Sequence, residues 1–276
     1  MNAEMETGRG MMKENKLFQV ERKRNILSIL NEQPSVTVSC LSKKFHVSEV
    51  TIRKDLKELD RSGYLTRTHG GAAVGLKMAF ESNQSEKEKQ NILEKTAIAN
   101  IAYERIQNGD SILFDAGSTT LQLAKKIKSN PAKKILAVTN SLNIANELVD
   151  LENVELIMLG GTFRTGIYSL VGPITESNLQ TLHVDKVFLG INSINLVHGL
   201  STANIYEAEI KRRMLLSAEE KFLLADHTKF GAISLKFIAH IGELNYLVTD
   251  SLVPNDTVKA IEQMGVAVLI SPCAAS

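Results

Sequence analysis

The chain has 276 residues, 43% hydrophobic and 23% charged, with a formal net charge of +1, enough apolar material for a substantial core. Its cysteines, Cys40 and Cys273, are too few and too far apart for a disulfide framework or a thiolate metal site. No apolar run approaches the ~20 residues of a membrane helix, and the polar N-terminus lacks a signal-peptide core; a cytoplasmic protein without a membrane partner is expected. The small net charge hides an asymmetry. Residues 1–72 hold 13 Lys and Arg against 9 Asp and Glu, whereas the remainder holds 19 against 22.

In chain order, the first predicted helix lies in "LFQVERKRNILSILNEQ", with Ile26, Ile29 and Leu30 at helical spacing and Pro34 as its stop. A second follows in "TVSCLSKKFHV", with Thr37 placed as its cap and Val38, Leu41 and Phe45 as its apolar stripe. The third, "SEVTIRKDLKELDRSGYL", starts at Ser48 and turns Ile52, Leu56 and Leu59 inward. At about 100° per residue, Val50, Arg53, Lys54 and Lys57 then point outward, with Thr51 on the flank. Two short helices joined by a tight turn, the second presenting cations beside Val and Thr, suit a major groove. Arg can take guanine edges, Val and Thr can meet thymine methyls, and lysines find phosphates. A hairpin or wing is predicted in "YLTRTHGG", which makes Arg67 and His69 candidate backbone or minor-groove contacts. The bland alternative is a solvated basic helix.

Residues 73–90 read as a linker that becomes a charged helix. Beyond it, "SILFD", "ILAVTN", "VELIMLGG", "KVFLGIN", "KFLLAD", "NYLVTD" and "VAVLI" are short apolar runs separated by helical stretches. That alternation predicts a mostly parallel α/β sheet covered on both faces.

Ligands bind such sheets outside the carboxyl ends of the strands. Those ends carry Asp115 with Gly117, Ser118, Thr119 and Thr120, then Thr139 and Asn140, Gly160 and Gly161 with Arg164, Asp226 with Lys229, and Asp250. The backbone N–H groups and hydroxyls of 117–120 would cradle a phosphate at a helix start. Asp115 or Asn140 would take sugar hydroxyls, and Lys229 or Arg164 would balance charge. Plain structural readings stand beside these: Asp115 as a helix cap, the paired glycines as a tight turn, Lys229 as an ordinary exposed lysine.

Taken together, the strings "VSEVTIRKDLKELDRSGYLTRTHGGA", "NGDSILFDAGSTT", "VTNS", "LGGTFR", "VFLG", "EAEIKRRM", "LADHTKFG" and "VTD" resemble the DeoR family of bacterial transcriptional regulators. The resemblance implies a winged helix-turn-helix over residues 16–72 and an α/β effector-sensing domain over 91–272, similar to ribose-5-phosphate isomerase and CoA-transferase folds. It implies a repressor of a carbohydrate catabolic operon that binds double-stranded operator DNA as a homo-oligomer and senses a phosphorylated sugar. Motif by motif, it carries an effector role to Asp115, Gly117, Ser118, Thr119, Thr120, Thr139, Asn140, Gly160, Gly161, Glu207, Lys211 and Lys229. No catalytic residue, metal ligand or cofactor is expected.

Two departures stand out. Lys54 replaces a common Arg and loses the planar fork, and "GINSIN" replaces a Gly- and Asp-containing loop. The first eleven residues fall outside the resemblance, which leaves Met1, Met11 and Met12 as alternative starts. The alternative functions are an effector-dependent activator and a sugar-phosphate isomerase-like enzyme.

Overall fold

The computed structural model describes residues 22–23, 25–26, 29–30, 35–61, 65–68, 70–74 and 84–272. They belong to two compact units, Met1–Lys77 and Met78–Ser276. Within the span expected as a linker, strand structure runs to Val74 and a helix occupies Gln84–Lys89.

In the N-terminal unit, β1 (Ser35–Thr37) leads directly into α1 (Val38–Phe45). Thr37 caps α1 by accepting from the Cys40 N–H at 3.2 Å, and His46 ends it in the left-handed region at φ 53°. Cys40 is a free, exposed cysteine. Three residues after α1, Ser48 Oγ accepts from the Thr51 N–H at 3.2 Å and starts α2 (Glu49–Arg61).

The apolar stripes of both helices meet Ile26, Leu30, Val36, Leu65 and Ala72 in one core. Asp55 of α2 is buried too, and Arg22 balances it at 2.6 Å. Strands β2 (Leu65–Thr68) and β3 (Gly71–Val74) form the wing, an antiparallel hairpin in the sheet order β1-β3-β2. Gly71 is required there: a Cβ would stand 1.8 Å from the Val36 carbonyl oxygen.

The C-terminal unit opens with α3 (Gln84–Lys89) and α4 (Ile92–Glu104) and contains a seven-stranded parallel sheet. Its strands are β4 (Ser111–Phe114), β5 (Ile135–Thr139), β6 (Val154–Met158), β9 (Val184–Gly190), β12 (Ala218–Leu224), β14 (Tyr246–Asp250) and β15 (Ala267–Ser271). They lie in the order β15-β14-β12-β9-β4-β5-β6. The intervening helices are α5 (Ser118–Ser129), α6 (Leu142–Leu148), α7 (Pro173–Gln180), α8 (Ile205–Leu216) and α9 (Asn255–Glu262).

Period-two alternation splits each strand between two cores. Ile112, Phe114, Phe188, Phe222 and Val248 join one, while Leu113, Val187, Leu189, Leu223 and Leu247 join the other. In the first core an in-register row of rings crosses four neighbouring strands: Phe114, Phe188, Phe222 and Tyr246, with centroids 6.0, 4.9 and 4.4 Å apart.

The chain builds outward from β4 to β5 and β6, then returns to the other side of β4 with β9. That reversal is a topological switch point, where neighbouring strand-end loops splay apart and leave a crevice. Pieces that alternation did not anticipate surround it: the antiparallel hairpin β7 (Thr162–Arg164) and β8 (Ser169–Val171), and a three-stranded sheet of β10 (Ser193–Asn195), β11 (Gly199–Thr202) and β13 (Lys236–Ala239).

Candidate functional site

In the N-terminal unit the helical repeat puts Ile52 and Leu56 at no more than 1% exposure, leaves Val50 at 72%, and leaves Arg53, Lys54 and Lys57 exposed. Ser48 and Thr51 are engaged with each other, their hydroxyl oxygens 2.9 Å apart. Arg53 Nη2 rests 2.6 Å from Glu49 Oε2 one turn back, an exposed pair. Such i,i+4 pairs contribute only ~0.3–0.5 kcal/mol, so a guanine edge would readily displace Glu49. Among the described residues neither Lys54 nor Lys57 has an ion-pair partner. Arg67 is exposed on the wing, its backbone N–H 3.4 Å from Asp60 Oδ1. His69 lies outside the described residues.

In the C-terminal unit the crevice at the switch point opens beside Asp115, which follows β4 and is 3% exposed. Asp115 Oδ2 accepts from the Gly190 N–H at 2.9 Å and is ion-paired with the Lys211 ammonium of α8. Lys211 also donates to the Gly190 carbonyl at 2.9 Å. Gly117 starts α5 and lies beside Gly190, where an added Cβ would meet the Gly117 Cα at 3.4 Å, an ordinary contact.

Two threonine hydroxyls at these strand ends brace the loops that carry them. Thr120 is fully buried; its hydroxyl donates to the Asp115 carbonyl at 2.7 Å and accepts from the Gly117 N–H at 3.0 Å. Thr139 is fully buried as well, bridging the Phe114 carbonyl at 2.9 Å and the Ser141 N–H at 3.0 Å. Both hydroxyls are engaged with backbone groups, and each holds its loop in shape. Ser118 and Thr119 occupy the first turn of α5, where helical N–H groups have no intrahelical acceptor.

Asn140, Ser169, Glu207 and Lys211 line the cleft with Asp115, and Ile167, Val171 and Ile210 supply its apolar wall. Glu207 accepts from the Thr202 hydroxyl at 2.8 Å, and Arg164 lies 3.9 Å from its other oxygen. Gly160 and Gly161 do not line this cleft. They pack on α7: the Gly160 N–H donates to Asn178 at 3.0 Å, Thr175 donates to its carbonyl at 2.7 Å, and a Cβ on Gly161 would stand 2.1 Å from Thr175 Oγ1. Both glycines sit in close contact with α7.

Lys229 also lies outside the cleft, on a 3-10 turn after β12, 3.9 Å from Asp226. Asp226 is wholly buried; its Oδ1 accepts from the Thr228 N–H at 3.0 Å and from Asn91 at 3.3 Å. Next to it, Asp250 accepts from the His227 N–H at 2.8 Å and pairs with the His227 ring at 3.1 Å. That hydrogen bond raises the His227 pKa above its ordinary value against the effect of burial. Burial pushes Asp250 upward, but the His227 side chain and backbone outweigh it and hold the carboxyl low.

Of the "GINSIN" loop, Asn195 caps the β10–β11 turn through the Val197 and His198 N–H groups at 3.0 Å, and Ser193 pairs with Ser234 at 2.8 Å. Only Asn192 stays near the charged residues, 2.9 Å from the Thr202 hydroxyl that also reaches Glu207.

Two residues near these groups were invisible in the sequence. Lys95 on α4 looks like one more charge on a charged helix, yet it is 1% exposed, its ammonium held by the Lys87 and Gln90 carbonyls. Desolvation lowers its pKa to about 8. Ser169, on the unforeseen β7–β8 hairpin, had no motif to mark it.

Comparison with known proteins matches residues 22–76 to the DeoR-like helix-turn-helix domain and residues 90–251 to the DeoR C terminal sensor domain. The chain is 36% identical over 252 residues to the uncharacterized HTH-type transcriptional regulator YulB of Bacillus subtilis, covering 91% of this chain and 96% of that protein. It is 33% identical over 231 residues to the lactose phosphotransferase system repressor of Lactococcus lactis, covering 83% and 90%. Among solved structures, ribose 5-phosphate isomerase A of Methanocaldococcus jannaschii is similar over 51% of this chain and 55% of that one, at 16% identity and a TM-score of 0.38.

Proposed function

Because the chain belongs to the DeoR family of DNA-binding transcriptional regulators, we propose that it is a repressor released from its operator by a phosphorylated sugar bound in the C-terminal unit. The observation that carries this reading is the cleft at the sheet's switch point, where buried, charged and hydroxyl-bearing residues converge beside a helix start. Such a helix start suits a phosphate, and the neighbouring Asp115, Asn140 and Glu207 suit sugar hydroxyls. A repressor named for a lactose phosphotransferase system among the relatives points to the same ligand class.

In the DNA-reading unit, Arg53 takes a guanine edge after leaving Glu49, Val50 and Thr51 meet thymine methyls, and Lys54 and Lys57 bind phosphates. Arg67 of the wing supports the backbone contacts. A homodimer places two such helices on paired half-sites. Ligand and DNA are linked as any two-state switch is: a ligand favouring the DNA-incompetent form shifts the population by its differential affinity.

The cleft binds without turnover. Proton transfer next to a carbonyl needs a carboxylate free to act as base, and Asp115 is held by Lys211 and the Gly190 N–H. Incubating the full chain with aldose and ketose phosphates while following both operator release and isomer formation tests the proposal. Release without isomerisation is expected; isomerisation that disappears in Asp115→Ala would establish an enzyme instead.

A further inference from the structure

Two polar atoms in the cleft, both buried and both without a hydrogen-bond partner among the described residues, are Asn140 Oδ1 and Ser169 Oγ. Their residues are 3% and 1% exposed. A buried polar atom left unpaired is costly, so a pair of them lining one cleft indicates a missing partner. The two sit side by side because Ser141 and Ser169 form an antiparallel bridge. The loop and hairpin are also tied together by the Leu170 N–H to the Asn140 carbonyl at 2.8 Å and the Leu142 N–H to the Tyr168 carbonyl at 2.9 Å.

The chemistry of the missing partner follows from what the neighbours already do. Asn140 Nδ2 donates to the Leu170 carbonyl at 2.9 Å. A carbonyl can only accept, so this bond fixes the amide orientation and leaves Oδ1 as an acceptor. Asp115 and Glu207 bring two more acceptor groups to the same cleft, and Ser169 can donate or accept. A phosphate or carbonyl oxygen, acceptor only, leaves Asn140 Oδ1 unpaired, and the lysine of the same cleft, Lys211, is already held by Asp115 and the Gly190 carbonyl. A hydroxyl donates to Asn140 and accepts from Ser169. Ile167, Val171 and Ile210 offer an apolar surface to the C–H face such a ligand also carries.

We propose that Asn140 and Ser169 form a hydroxyl-reading subsite that takes one hydroxyl of the ligand's polyol portion and excludes its phosphate, with Ser169 a specificity-determining residue. This rests on the sugar-phosphate reading above and adds a direction to it: the hydroxyl enters between the Asn140 loop and the β7–β8 hairpin, and the phosphate lies outside that subsite. Ser169 is a recognition group rather than a brace, because its hydroxyl has no partner among the described residues.

The test is calorimetric titration and thermal melting of the full chain, wild type, Ser169→Ala and Asn140→Ala, with pentose and hexose phosphates, their monodeoxy counterparts and inorganic phosphate. Wild type is expected to prefer one hydroxylated phosphate over a deoxy counterpart, and each substitution to weaken that ligand about tenfold, the scale of a lost buried partner. In Ser169→Ala the preference over the deoxy compound should shrink, while inorganic phosphate binds as in wild type. Ligand-free Ser169→Ala should melt no lower than wild type, because an unpaired hydroxyl is removed.

Unchanged affinity and preference in both variants would overturn the subsite and leave the sugar-phosphate reading standing. A lower melting temperature of Ser169→Ala with unchanged binding would mark a structural hydroxyl and overturn it as well. If wild type bound none of the sugar phosphates, that broader reading would fall and the subsite with it.

Discussion

One strand, β4, carries a buried aspartate–lysine pair at each end, and the two pairs differ in what surrounds them. At its amino end Asp110 meets Lys186 at 2.7 Å and accepts from the Gln107 N–H at 2.7 Å, while Glu220 lies 3.6 Å from the same lysine. At its carboxyl end Asp115 meets Lys211 and the Gly190 N–H, and beside them stand the unpaired atoms of Asn140 and Ser169. Burial and charge pairing are common to both ends and therefore do not identify a site. What sets the carboxyl end apart is the unmet hydrogen-bonding capacity of Asn140 and Ser169 in one cleft.

The sharpest way to break this comparison is to cut each pair in turn. Removing one partner of a buried pair leaves an uncompensated charge and costs ~3–5 kcal/mol. Lys186→Ala should lower unfolding stability on that scale in urea titrations while the folded protein keeps its response to the sugar phosphate. Lys211→Ala should lose stability and also stop responding, because Lys211 lines the cleft. Equal retention of the response in both would erase the distinction.

A smaller effect is expected on the DNA face, where charges are exposed instead of paired inside. Arg53→Ala should weaken specific operator binding by ~1–3 kcal/mol and relax base preference. Lys57→Ala should weaken binding to specific and random DNA alike and reduce the salt slope by about one ion. Band-shift titrations at several salt concentrations separate the two patterns. Identical losses on both DNAs for both variants would remove Arg53 as a base reader.

The smallest effect belongs to pH. His227 has a folded pKa raised above its ordinary 6.5, first by its hydrogen bond to Asp250. Its contribution to stability is fully present below about pH 6.5 and fades as pH climbs through the raised value. Urea midpoints across that window should fall more steeply in wild type than in His227→Gln, and parallel curves would show that the pair contributes nothing measurable.

The large elements were legible because each rests on local periodicity. Ile52, Leu56 and Leu59 mark the buried face of α2, and the seven apolar runs became the seven strands of the parallel sheet. The β7–β8 hairpin and the β10–β11–β13 sheet were not legible, since their short strands mix polar and apolar residues instead of forming the continuous apolar runs that mark the parallel sheet.

At the site, the residue types near strand ends could be read, but not where their hydroxyls point. Thr120 and Thr139 share the chemistry of a recognition residue, and only the fold turns them onto backbone groups. Gly160 and Gly161 look like a ligand turn until α7 is seen against them. Lys95 and Ser169 show the converse: both are buried, and no sequence motif marks either of them.

The central claim, that a sugar phosphate bound in the C-terminal unit governs DNA binding, is tested most directly by fluorescence anisotropy of the full chain on DNA from upstream of its own gene. The titration is made with and without each member of a pentose and hexose phosphate panel. The account predicts sequence-specific binding that one such ligand weakens by ~5–150-fold, the range of ordinary allosteric coupling. Specific binding that no sugar phosphate changes would contradict it.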